Sequence, residues 1–129
     1  MNPNAALREV LVANTALNTA TGGRIYGPPG LERSAIGTKA ISFFVSESEQ
    51  SVAGRQTALF DISCWGADVE ECWSVYDLLH TALDQVTAVD KTSGHVMVAH
   101  ETLGGMDVMH DETERPYVGT QYRLEFRRA

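Results

Sequence analysis

Cysteine is almost missing from this chain: Cys64 and Cys72 are the only two in 129 residues. A framework held by several disulfides is therefore excluded as the source of stability. The pair brackets the passage from an expected strand into an expected helix and reads as two small buried hydrophobes; a disulfide or a reactive thiol is the alternative. Two cysteines without a clustered histidine partner give no zinc signature. No apolar run approaches the roughly 20 residues of a membrane span. No cationic start followed by an apolar block opens the chain, so we expect no secretion signal. Positive charge is also short: ten Lys and Arg face seventeen Asp and Glu, for a net charge of −7. Nucleic-acid affinity comes largely from cations that displace phosphate counterions, so this balance argues against a DNA-binding domain. Arg123, Arg127 and Arg128 form the one basic cluster, at the end of an expected strand.

Catalytic signatures are missing too. Ser63 precedes Cys64 and Trp65 on an expected strand, without a Gly-x-Ser-x-Gly elbow. Gly22-Gly23 and Gly104-Gly105 are isolated pairs, with no Gly-Lys-Ser/Thr to make a phosphate loop. His80 stands at helical spacing from Asp77 and Asp84, which offers a metal or acid–base site or, more simply, an exposed face with local ion pairs. His95 and His100 differ by five and fall on opposite faces of a regular strand. His110 with Asp111, Glu112 and Glu114 reads as a charged loop. We expect no catalytic residue, no cofactor and no metal.

The length fits one domain covering 1–129, and a fold of this size buries about two-thirds of the area exposed by its unfolded chain. Apolar spacing predicts an amphipathic helix over 3–17, capped by Asn2, with Pro3 in its first turn. A break at 21–23 leads to a short extended piece at 24–26. The Gly27-Pro28-Pro29-Gly30 turn then starts a loop over 27–39. Alternation predicts strands over 40–47 and 56–65, paired as a hairpin with a polar tip at 48–55. Asp68 and Glu71 form a capping-box variant that opens the longest helix. Its expected apolar stripe is Val69, Cys72 or Trp73, Tyr76, Leu79, Leu83 and Val86. A turn at 90–94, strands over 95–103 and 106–110, a charged loop at 111–116 and a strand over 118–127 complete the chain. The expected fold is α+β: a mainly antiparallel sheet of four to five strands, packed by an N-terminal helix and one long central helix.

A resemblance is carried by the order of several segments. They are Ala6-Leu7-Arg8, then Gly22-Gly23-Arg24-Ile25-Tyr26 before a proline loop, then Phe60-Asp61-Ile62-Ser63-Cys64-Trp65-Gly66. Ala67-Asp68-Val69-Glu70-Glu71 and Val75-Tyr76-Asp77-Leu78-Leu79 follow, and Tyr122-Arg123-Leu124-Glu125-Phe126-Arg127 closes the chain. Together these look like the tail-completion and tail-terminator proteins of long-tailed phages and prophages, a family that includes the minor tail protein U of phage lambda. The resemblance spans about 5–128. It implies an α+β subunit of a virion, assembled in the bacterial cytoplasm, that forms a hexameric ring at the tail end or neck. Such a ring caps the tail tube, ends tail polymerisation and presents the head-joining surface. Its implied partners are further copies of itself, the tail tube protein and a head–neck connector; DNA only passes through the lumen, where acidity would keep it from sticking. Arg33, Lys39, Glu47, Glu49 and Arg55, in or next to the two polar segments, are the candidate subunit or tube contacts. The alternatives are a head–tail connector of the same particle, a small acidic enzyme or ligand-binding domain around His80 or His110, and a monomeric adaptor that binds through an open sheet edge.

Overall fold

The computed structural model describes residues 2–31, 35, 37–50, 55–84, 89–91, 94–109 and 115–127. Its first element, α1 (Pro3–Ala13), starts as its residues dictate: the Asn2 side chain accepts from the Asn4 N–H at 3.0 Å, and proline occupies the first turn. Ala6, Leu7, Val10 and Leu11 form its buried face. The single helix expected over 3–17 is in fact two. Asn14 adopts an extended conformation and ends α1, and its side chain accepts from the Leu17 N–H at 3.0 Å to open α2 (Thr15–Thr21). A short amide side chain competes with the backbone for such bonds, which makes Asn a better cap than interior residue. Gly22, left-handed at φ 60°, closes α2.

The strands are β1 (Ile25–Tyr26), β2 (Ala40–Gln50), β3 (Arg55–Trp65), β4 (Val89–Lys91), β5 (Gly94–Met109) and β6 (Pro116–Arg127). Among the described residues they form one six-stranded sheet in the order β1-β2-β3-β6-β5-β4. Only β1 runs parallel to its neighbour; the other pairings are antiparallel. The count exceeds the expected four to five because two short edge pieces join the sheet. β2 runs on to Gln50, so the strand consumes part of the tip expected at 48–55. The two late strands expected over 95–103 and 106–110 are one strand, β5. Gly104 and Gly105 lie within it, where its register against β6 shifts between Leu103 and Met106. Glycine can mark a bulge as well as a turn, and here it marks the bulge.

One face of the sheet makes the core. Gln56, Ala58, Phe60, Ile62 and Cys64 of β3 are buried, as are Val118, Thr120, Tyr122, Leu124 and Phe126 of β6. Edge-on ring contacts at 6.2 Å link Phe43 to Phe60 and Phe60 to Phe126. Helix α3 (Val69–Asp84) packs here through Cys72, Val75, Leu79, Ala82 and Leu83. This stripe is rotated from the expected one. Val69, in the first turn, is 45 % exposed, and Trp73 and Tyr76 sit at the margin of the core. Val86 lies outside the described residues. The cap is as expected in kind: the Glu71 N–H donates to Asp68 Oδ1 at 2.8 Å, and the Glu71 carboxylate accepts from the Ala67 N–H at 3.2 Å.

Candidate assembly surface

Strand alternation sends every second residue of β3 and β6 away from the helices. Thr57, Leu59, Asp61, Ser63, Gln121, Arg123 and Glu125 make this second face, and all keep some exposure. A polar ladder crosses it: Gln121 Nε2 donates to Asp61 Oδ1 at 3.1 Å, and the Thr102 hydroxyl donates to Gln121 Oε1 at 2.9 Å. At one end Trp65 stacks on Tyr117 with ring centroids 4.6 Å apart, and its indole N–H donates to the Ser42 hydroxyl at 3.0 Å.

The five candidate contact residues do not form one patch. Glu47 and Glu49 project from β2 itself, opposite Leu59 and Thr57, and help line a shallow cleft of about 240 Å³ with Arg123 and Glu125. Arg55 is exposed at the start of β3, at the same end of the sheet. Lys39 immediately precedes β2, at its opposite end, where its carbonyl accepts from the Arg24 guanidinium at 3.1 Å. Ten positions separate Lys39 from Glu49, about 33 Å at strand rise. Arg33 lies outside the described residues. The first turn of the 27–39 segment packs beside α1, forming with Asn2, Asn4 and Arg8 a cleft of about 470 Å³.

Exposed apolar side chains are the feature that the sequence reading missed. Phe44 on β2 is 52 % exposed, and Leu103, Met106 and Met109 on β5 are 47, 47 and 56 % exposed. Only Phe44 carried a signal, since it breaks the alternation set by Ile41, Phe43 and Val45. The β5 residues sit around Gly104-Gly105, a glycine pair that marks an interruption in the sequence and that the pairing with β6 shows to be a bulge.

Contacts from α3 hold β5 in place. The Tyr76 hydroxyl donates to Glu101 Oε2 at 2.7 Å, and the Trp73 indole N–H donates to Asp107 Oδ1 at 2.7 Å. The Thr120 hydroxyl lies 2.8 Å from the same Glu101 oxygen and 2.9 Å from the Leu103 carbonyl, a choice of two acceptors. Burial, and then the bond to Glu101, push the Tyr76 hydroxyl up to about 12. His80 meets Asp84 at 3.2 Å, as one turn of helix allows, but its other nitrogen faces Glu101 at 3.8 Å and not Asp77. Among the described residues no group of three or more His, Cys, Asp or Glu is arranged to hold a metal ion. His110, Asp111, Glu112 and Glu114 lie outside those residues. The register shift between Val96 and Val98 interrupts the alternation on which the His95 and His100 reading depended. Cys64 and Cys72 are free and buried. Burial pushes both thiols up, Cys72 to about 11. No described helix is long and apolar enough to cross a membrane.

No family model matches the chain, and no curated protein does. Among solved structures, a chain from the virion of a native gene transfer agent particle is similar at a TM-score of 0.63. The match covers 95 % of this chain and 92 % of that one at 14 % identity. The two share a fold from end to end.

Proposed function

We propose that this chain is a structural subunit of a phage-like particle, a tail terminator whose closed ring caps the tail tube, ends its polymerisation and presents the surface to which the head joins. The observation that carries the reading is the end-to-end fold likeness to a chain of a gene transfer agent virion. The resemblance of the ordered segments between about 5 and 128 to tail-completion proteins points the same way. A sheet face on which no described helix packs, bordered by exposed apolar residues on β2 and β5, suits a molecule that functions in contact with others. Its mechanism is stoichiometric: a growing polymer stops when a ring occupies its end. The ring requires a head-to-tail interface whose rotation closes, with each contact burying on the order of 1,000 Å² or more in total. Its partners are further copies, the tube protein and the neck connector, and DNA passes through its acidic lumen.

Electron micrographs of particles assembled without this chain test the reading. A terminator predicts tails of uncontrolled length that lack heads. Tails of normal length joined to heads would overturn it.

A further inference from the structure

Among the described residues the sheet has two long free edges. β1 pairs only with Ile41 and Ser42, so among the described residues no strand flanks β2 from Phe43 to Gln50. β4 pairs only with residues 94–96, so none flanks β5 from there to Met109. A long edge with apolar side chains invites another strand, and folded monomers usually blunt it with short strands or charge. Among the described residues, four of the five large hydrophobic side chains that are exposed lie on these two strands.

The registers say what fits them. One row of paired residues crosses the sheet as Phe44, Asp61, Gln121 and Leu103. Another crosses as Glu47, Leu59, Arg123 and His100. The first row ends in an exposed hydrophobic on both edges, and the second ends in an exposed carboxylate on one edge and an exposed imidazole, a hydrogen-bond donor, on the other. Asp61 and Gln121 lie on the face away from the core, so Phe44 and Leu103 do as well. Three antiparallel steps separate β2 from β5, so the two strands run in opposite directions. Rotation about an axis along the strands preserves strand direction. It therefore sets β5 of one copy antiparallel to β2 of the next.

We propose that successive copies join by antiparallel pairing of the free edge of β2 in one with the free edge of β5 in the next, setting Phe44 against Leu103 and Glu47 against His100. The proposal rests on the ring reading and supplies its interface. The contact is head-to-tail, so it closes into a ring where the rotation per subunit allows. Main-chain hydrogen bonds give the join its strength, and the two side-chain pairs fix its register.

Cysteine pairing tests it. Residues directly opposite across strands have Cα separations of about 4.5–5.5 Å, within disulfide reach. Phe44→Cys and Leu103→Cys chains, mixed under copper–phenanthroline oxidation, should give a mixed covalent dimer, while neither alone should dimerise. The double variant should give a ladder ending at the subunit number of the ring. Self-linking of Phe44→Cys would show a twofold β2–β2 contact and overturn the proposal. An oligomer by light scattering without mixed product would overturn the pairing and leave the ring reading standing. A chain monomeric at millimolar concentration and on tube ends would overturn both. Phe44→Lys, at an exposed position, should weaken self-association tenfold or more with an unchanged melting curve, and unchanged association would count against the join. Glu47→Lys should weaken it too, and His100→Glu on the neighbouring copy should restore it.

Discussion

Gly66 joins β3 to α3 in a space without room for a side chain. A Cβ there would meet Glu71 Cβ at 2.6 Å and the Cys72 backbone nitrogen at 2.8 Å. Backbone cannot swing aside, so Gly66→Ala should cost about 1–3 kcal/mol in denaturant unfolding. Cys72, six residues further on in the first turn of α3, makes stability depend on pH. Its thiol rises from an ordinary 9.0 to about 11, first through burial and then through the nearby carboxylates of Asp68 and Glu71. The unfolded chain therefore releases this proton at lower pH than the folded one. The contribution is fully present below pH 9 and is lost as pH rises toward about 11. Melting temperature should fall across that window, and Cys72→Ala should fall less steeply. Equal slopes for the two proteins would remove this thiol from the account.

At the scale of elements, the local signals that were legible are those with short-range causes. Asn2 and Asp68 cap their helices because their side chains reach amide groups two or three residues away. Alternation placed β3 and β6 within about two residues. The same locality explains the misses. Asn14 is both the end of α1 and the cap of α2, and an apolar stripe that continues to Leu17 conceals the break. Gly104 and Gly105 signal an interruption, but only pairing with β6 decides between turn and bulge. Trp73 and Tyr76 match the helical stripe, yet their polar tips reach Asp107 and Glu101, more than twenty residues away. Glu49 belongs to a strand and not to the loop tip, because β2 continues to pair with β3 as far as Gln50. Asn14→Ala should therefore cost about 1 kcal/mol and should loosen α2 first, since Leu17 loses its cap while α1 keeps its own. Faster amide exchange confined to 15–21 would show this; uniform loss along the chain would not.

For the whole molecule, the governing fact is a sheet with helices and a dense core on one face and, among the described residues, with long free stretches on both edges. Nothing in the local pattern shows such edges, because they depend on which strands are neighbours and on how short β1 and β4 are. Once the strand order is known, the proposed contact between copies gives the exposed residues of β2 and β5 a common explanation. The direct test is native mass spectrometry of the purified chain, alone and bound to tail-tube ends. The account predicts one closed species whose mass is an integral multiple of the 14.1 kDa subunit. A single subunit at every concentration, with tube ends present or absent, would contradict it.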